Sequence, residues 1–423
     1  MVAVADLLKL SDETDLDILN HSMEAMVDRF QNELMPVASQ LTARLCESYL
    51  RLAREGLAQR NEAIPDSIDV ESLVSDADDD KVYGAMGVAK TIGTVVSCTD
   101  SSPEILSQVQ EVIILIIRFT LENKLIDLFD NMYDLVDALT FRLHTISPNM
   151  WPVFELTYDL FKNDAFDFLD EMLPSLDNFV SYGTDVLKAR PDYRLKVLDM
   201  YRTAMTSPQL GDNDKINGCK LAESMLLNLH GHVDDQLQDI ITIAADHMDK
   251  GEIASFRLAN LEILVNAVLY NASAALHFME AYKPGFSRTF FERWFVAINS
   301  DNKLPRVHDK KLSILALCRL LEMEAGAIPE GLRDGWPGIV GGALNIFKAL
   351  PQAIAKRKVL EDQLVDGSDD EDEDDTRYLN LEGEEDEDVW DEDSAYLEIL
   401  AKEVRHNSIF ATYCSYKYSR VLV

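Results

Sequence analysis

A helical period of apolar residues recurs over positions 1–360 and limits the possible folds more than any other feature of the chain. Between Leu125 and Leu143, apolar residues return every three or four positions, which marks one buried helical face. Strand-like alternation is hard to find, so we predict an all-α fold. The same period predicts further helices at Leu16–Phe30, Val37–Leu52, Val82–Val96, Ile105–Leu121, Ala165–Val180, Arg194–Met205, Asn217–Leu229, Leu237–Met248, Phe256–Leu269, Arg288–Ile298, Lys311–Leu321 and Ile339–Ile354. Of these, Ala165–Val180 is predicted to be broken or kinked at Pro174.

Short polar turns separate these segments. Ser102-Pro103 and Ser147-Pro148 each combine a helix N-cap with proline in the first turn. Gly231 and Gly251 interrupt the middle of the chain. Helices joined by such turns form antiparallel hairpins, which HEAT and armadillo proteins repeat every ~40–47 residues. We therefore predict an α-solenoid of degenerate HEAT-type hairpins over residues 1–360, with about fourteen to sixteen helices.

The charge balance excludes several classes of function. The 423 residues include 75 acidic and 39 basic side chains, a net charge of −36. Such a surface repels nucleic acid and anionic lipid and attracts basic proteins. The five cysteines are scattered and include no CxxC pair, so we expect neither disulfides nor a thiolate zinc site.

No segment has the pattern of a secretory leader or a membrane span. Met1–Leu10 contains Asp6 and Lys9 and lacks a cleavage site. The longest purely apolar run is Val112–Ile117, far short of the ~20 residues that cross a bilayer. We expect a soluble intracellular protein that does not insert into membranes.

Signatures of catalysis and cofactor binding are absent. The sequence contains no phosphate loop, dinucleotide fingerprint, nucleophile elbow or HExxH motif. The glycines at 338, 341 and 342 have the wrong spacing for a nucleotide loop. His230 and His232, followed by Asp234 and Asp235, could in principle hold a metal, but a solvated turn is the better interpretation. We predict no catalytic residue, cofactor or metal.

A long acidic block, Asp366–Asp393, interrupts the helical pattern. Seventeen of its 28 residues are acidic and only Arg377 is basic, so the block carries −16. We expect residues 361–394 to be a disordered acidic loop. A second interruption, Asn61–Asp80, is Asp- and Ser-rich and predicts a mobile loop between hairpins.

The acidic block has two interpretations: a solubilising linker, or a flexible arm that attracts Lys/Arg-rich proteins. The aromatic Tyr378 and Trp390 within it favour recognition slightly. Ser368 precedes Asp-Asp-Glu and is a candidate phosphorylation site. The candidate partner-binding residues of the block are Asp369, Asp370, Glu371, Asp372, Glu373, Asp374, Asp375, Glu384, Glu385, Asp386, Glu387, Asp388, Trp390, Asp391, Glu392 and Asp393.

Four aspartates in the segment from Leu125 to Leu143 also recur at helical spacing. Asp127, Asp130, Asp134 and Asp137 lie opposite its apolar face. A solvated face is the default interpretation. The alternative is that these residues line the inner surface of the solenoid and face a basic partner.

Four stretches resemble the C-terminal half of importin-β superfamily nuclear transport receptors, in a fungal-type form of the importin 7/importin 8 branch. They are Tyr83–Ser97, Ser147–Pro174, Val307–Cys318 and Tyr396–Lys402, with the acidic block between the last two. The resemblance covers residues 1–403. It makes 395–403 a short family-like helix, whereas 404–423 departs from the family pattern.

The resemblance implies a HEAT solenoid that carries basic cargo, such as ribosomal proteins or histones, through the nuclear pore and releases it on meeting Ran-GTP. It further implies binding to nuclear-pore Phe-Gly proteins and importin-β, and shuttling between cytoplasm and nucleus. Receptors of this kind are longer, and their main Ran-GTP site lies in N-terminal repeats that precede the part matched here. The competing interpretation is a HEAT scaffold that organises a phosphatase or kinase complex.

Overall fold

The computed structural model describes residues 29, 35–62, 76–251, 253–300, 304, 306–324 and 335–366. These ranges contain fourteen α-helices and no strand, which confirms the all-α prediction. The chain divides into two compact units, Met1–Val186 and Leu187–Val423, with the division inside α7. The helices are α1 Ala38–Glu62, α2 Asp76–Cys98, α3 Pro103–Glu122, α4 Phe129–Leu143, α5 Trp151–Asn163, α6 Leu169–Tyr182, α7 Thr184–Ala189, α8 Pro191–Thr206, α9 Asp212–Asn228, α10 Leu237–His247, α11 Ala254–Tyr282, α12 Phe286–Ile298, α13 Val307–Leu321 and α14 Trp336–Asp366.

Six helices of the first unit stack in two rows. Helices α1, α3 and α5 contact one another in order in one row, and α2, α4 and α6 do so in the other. Consecutive helices also pair across the rows as α1–α2, α3–α4 and α5–α6. Each pair is a helical hairpin that buries its apolar faces against its neighbours. This is the arrangement of a HEAT-type repeat array, as predicted.

The second unit repeats the scheme. Helices α8 and α9 pair, as do α10 and α11, while α9, α11 and α13 contact one another in order. α14 contacts both α12 and α13. The 29-residue α11 changes direction at Asn271, whose backbone (φ −156°, ψ 95°) is not helical. The kink divides α11 into two segments, so α11 supplies both a buried core helix and the connection toward α12.

Aromatic side chains fill the core between α5 and α6. The ring of Phe179 lies 5.5 Å from Trp151 and 5.4 Å from Phe154, centroid to centroid. Burying each ring contributes about 1.5–3 kcal/mol. Gly183 follows α6 at the same place, and a Cβ there would lie 2.7 Å from the Trp151 ring. Glycine is therefore required for the chain to pass this core.

A group of buried charges connects α13 to α11. Arg306, just before α13, donates from Nη2 to Glu262 Oε2 at 2.6 Å and from Nε to Asp309 Oδ1 at 2.7 Å. All three side chains are at most 5% exposed. Asp309 also caps the helix, because its Oδ2 accepts the backbone N–H of Arg306 at 3.1 Å.

Several local predictions need correction. α6 runs through Pro174 without a break, so of the two predicted outcomes, a break or a kink, the break is wrong. The predicted loop Asn61–Asp80 is wrong at its C-terminal end, because α2 begins at Asp76. The acidic residues 76–80 form the first turns of α2, where the helix dipole favours carboxylates. Residues 63–75 lie outside the described ranges. The residues between α1 and α2 connect the two helices of one hairpin, whereas the prediction placed them between two hairpins. α3 begins at Pro103 as predicted, but Ser102 makes no side-chain cap hydrogen bond.

In the described part of the chain, two helices are long and apolar enough to cross a membrane by length and composition alone. One is α11, Ala254–Tyr282, 67% buried over its most apolar window. Its Glu262 is engaged by Arg306, as expected of a core helix. The other is the Pro337–Ala355 part of α14, where the buried share is only 28%.

Candidate functional site

Helices α4 to α6 of the first unit carry an excess of acidic residues. Residues 126–182, which span α4 to α6, contain eleven acidic and two basic side chains. α4 and α6 are neighbours in the same row. Acidic residues on their outward sides therefore share a surface.

Asp130 of α4 lies within electrostatic range of Glu171 of α6, and each has an acidic neighbour on its own helix, Asp134 and Asp170. We call these four residues the carboxylate cluster. Partial burial and the charge of Asp130 raise the pKa of Asp134. Burial raises the pKa of Glu171 to about 8, with further contributions from Asp170 and Asp130. Asp130 therefore acts on both Asp134 and Glu171 and links the acidic residues of the two helices.

The cluster lacks compensating cations. Among the described residues, no Lys or Arg forms an ion pair with any of its four members. The Oε2 atom of Glu171 is buried without a hydrogen-bond partner there. A like-charged group in this state attracts cationic side chains, because a guanidinium or ammonium would relieve the repulsion and lower the pKa of Glu171.

Hydrogen bonds between α4 and α6 hold the cluster in place. Ser175 Oγ donates to the backbone oxygen of Tyr133 at 3.0 Å, and Asn178 Nδ2 donates to Asp137 Oδ1 at 2.7 Å. Both donors are buried polar side chains on α6. The two helices thus present their carboxylates from a fixed register.

The structure divides the four aspartates that the sequence singled out. Asp130 and Asp134 belong to the cluster, whereas Asp137 is half-buried and accepts the Asn178 hydrogen bond. Asp127 lines a small cavity with Lys81 beside α1 and α2. The sequence reasoning missed Asp170 and Glu171. Both residues lie in the first turn of α6, which follows α5 and belongs to the same row as α4. That position is the signal that could have pointed to them.

The other predicted residues lie elsewhere or outside the described ranges. Ser368, Tyr378 and the acidic residues from Asp369 to Asp393 fall outside them. The described α14 extends to Asp366, six residues into the predicted 361–394 loop. Gly342 of α14 lies against the Phe295 ring, where a Cβ would approach Cε1 to 3.0 Å.

The histidine turn between α9 and α10 forms hydrogen bonds and packs against α11. The Tyr270 hydroxyl donates to Asp234 Oδ1 at 2.7 Å and accepts the backbone N–H of Val233 at 3.2 Å. The His230 ring packs edge-on against Tyr270 at 5.0 Å. Burial, followed by Arg319, lowers the pKa of His230. Within the described part of the chain, no three His, Cys, Asp or Glu side chains are arranged to hold a metal.

Fold and surface together define a helical-hairpin repeat protein with an uncompensated negative face. Comparison with known proteins finds several that are similar to this chain in sequence. The chain is 25% identical over 371 residues to "Importin beta-like SAD2 homolog" of Arabidopsis thaliana. This alignment covers 86% of this chain and 33% of the relative. It is 25% identical over 362 residues to "Importin-8" of Homo sapiens, covering 84% and 32%. It is 24% identical over 387 residues to "Probable importin-7 homolog" of Dictyostelium discoideum, covering 86% and 34%.

These similarities confirm the resemblance to importin 7/importin 8-like nuclear transport receptors. The chain spans about a third of the length of these relatives. No protein-family model matches the chain. Among solved structures, a crystal structure of importin beta aligns with 83% of this chain and 42% of its own, at 12% identity and a TM-score of 0.46.

Proposed function

We propose that the chain is part of a nuclear import receptor and that its carboxylate cluster and acidic block bind Lys/Arg-rich cargo proteins. The observation that carries the proposal is the cluster itself: four carboxyl groups on two registered helices, with no ion pair among the described residues. The similarity to importins supplies the biological context. Catalysis forms no part of the proposed activity.

The two acidic elements contribute differently. The cluster is a rigid site that fits one or two cationic side chains, while the block adds −16 of dispersed charge. A segment of high negative charge density raises the rate of encounter with a basic protein and its local concentration. The rigid site then adds orientation.

By the family resemblance, binding of Ran-GTP to the longer receptor releases the cargo, and contacts with Phe-Gly proteins and importin-β accompany passage through the pore. The receptor then shuttles between cytoplasm and nucleus. These steps depend on the whole receptor, of which this chain is about a third.

Titration of a linker histone against the full chain tests the proposal, with a variant lacking Asp366–Asp393 measured beside it. Screening acts over ~10 Å at 0.1 M salt and over shorter lengths at higher salt. Affinity should therefore fall steeply from low to moderate salt, and it should fall again on removal of the block. Binding that ignores both changes would refute the proposal and favour an apolar scaffold surface.

A further inference from the structure

An apolar stripe runs along the outer side of α14. Val340, Leu344, Phe347 and Ile354 are 44%, 55%, 51% and 49% exposed, and Pro351 between them is exposed as well. Their spacing alternates between four and three residues, which is the spacing of the seam between two packed helices. The stripe extends over fifteen residues, from 340 to 354, or about 21 Å of helix.

The adjoining side of α14, about 100° around the helix from the stripe, already has partners. Ile339, Ala343 and Ile346 are buried, and the helix contacts α12 and α13. Asn345 Nδ2 donates to Asn299 Oδ1, beside α12, at 2.8 Å. α14 is therefore apolar on two faces, and the described residues cover only one. A continuous exposed apolar seam of this kind marks an interaction site.

We propose that the stripe is the docking site of this chain's own segment Tyr396–Lys402. The segment has its apolar residues at 396, 397, 399 and 400, which fall on one face if it is helical. That face would complete the seam on α14 as a second helix does in a hairpin. The inference does not depend on cargo binding.

The tether between the two elements has a suitable length. α14 ends at Asp366, twelve residues or about 18 Å beyond Ile354. Residues 366 and 396 are separated by thirty positions, and a flexible chain of that length has ends about 30 Å apart on average. The segment can therefore reach the stripe, and short flexible tethers give millimolar effective concentrations.

Charge selects the direction of docking. Lys358 is exposed and follows Ile354 by four residues, so it extends the stripe at its C-terminal end. Asp391, Glu392 and Asp393 precede the docking segment. An antiparallel arrangement places these carboxylates beside Lys358, whereas a parallel one places them at the far end. Antiparallel docking also closes the acidic block into a loop held at both ends on α14.

Engineered disulfides in the full chain test the arrangement, with Cys414→Ser as background. Phe347→Cys combined with Leu400→Cys should form an intramolecular disulfide on mild oxidation. Gln352→Cys with Leu400→Cys is the matched control, because Gln352 is exposed on α14 but off the stripe. Intact mass and non-reducing gels distinguish the products. Equal crosslinking of both pairs, or of neither, would overturn the proposal.

A second measurement follows the thiol of Phe347→Cys alone. With the segment docked, its alkylation should be at least tenfold slower than in a Leu397→Asp/Leu400→Asp variant, since about 1.4 kcal/mol of docking gives that ratio. Gln352→Cys should react equally in both backgrounds. Protection that depends on protein concentration would assign the stripe to a second copy. Protection that appears only with phosphatidylcholine–phosphatidylserine vesicles would assign it to a membrane, and either result overturns the proposal.

Discussion

Replacing Arg306 by methionine probes the buried charges that connect α13 to α11. The guanidinium contacts Glu262 at 2.6 Å and Asp309 at 2.7 Å, and none of the three side chains is more than 5% exposed. Methionine retains much of the volume but removes the charge. Two acidic side chains are then left in the core without the guanidinium that both of them contact.

The expected loss of stability is about 3–5 kcal/mol, the usual cost of removing one partner from a buried ion pair. The partners are not equivalent. Burial raises the pKa of Glu262, and the adjacent Asp309 offsets part of the lowering effect of Arg306. Glu262→Gln keeps an oxygen acceptor for Arg306 and removes one of two carboxylates that repel each other, so it should cost only about 1 kcal/mol.

Native-state hydrogen exchange of the α11 and α13 amides measures the effect locally. A loss of 3 kcal/mol accelerates exchange through the shared opening by about 100-fold. Arg288→Met is the matched control: Arg288 pairs with Glu292 at 2.9 Å, but the two side chains are 78% and 61% exposed. That substitution should cost at most about 1 kcal/mol. If Arg306→Met and Arg288→Met had equal effects, the reasoning about burial would be refuted.

Three further predictions concern other parts of the fold. Because burial raises the folded-state pKa of Glu171 to about 8, its contribution to stability is present below pH 4.5 and is lost as the pH rises to 8. The melting temperature of Glu171→Gln should therefore exceed that of the native chain at pH 8.5 but not at pH 4. Gly183→Ala should cost about 1–3 kcal/mol in urea unfolding because its Cβ would lie 2.7 Å from Trp151, whereas Gly341→Ala, with open space around it, should stabilise by about 0.5–1 kcal/mol. Tyr270→Phe leaves the buried N–H of Val233 without its acceptor and should cost about 1–3 kcal/mol, seen as faster amide exchange at Val233; unchanged exchange would contradict this reading of the turn.

Hydrophobic periodicity was sufficient to predict most helices. The spacing predicts Ile105–Leu121, and α3 runs from Pro103 to Glu122. The reason is that a repeat array buries one stripe of every helix, so the 3.6-residue period appears in the sequence. The period did not predict α5, although Trp151–Asn163 is a regular helix. Nor could it show that the chain continues as helix beyond the kink at Asn271, which depends on packing against neighbouring helices.

The candidate site was predicted less well, because it is built by two helices. Helical spacing alone groups Asp127 with Asp130, Asp134 and Asp137. Packing separates them: Asp137 faces Asn178, and Asp127 faces the cavity beside Lys81. The carboxylates that complete the cluster come from the neighbouring α6, about forty residues further along the chain. Only the register between α4 and α6 brings them together.

The most direct test of the proposed cargo surface compares two variants with the same number of carboxyl groups replaced by amides. One neutralises the carboxylate cluster, and the other neutralises four exposed carboxylates away from it, and binding of a linker histone is measured for both at low salt. The control substitutions are Glu104→Gln, Asp185→Asn, Asp235→Asn and Glu324→Gln.

The proposal predicts that the cluster variant loses at least about tenfold in affinity, or 1.4 kcal/mol, and that the control loses much less. Equal losses in the two variants would mean that only the net charge matters. That result would contradict a specific cargo site on α4 and α6.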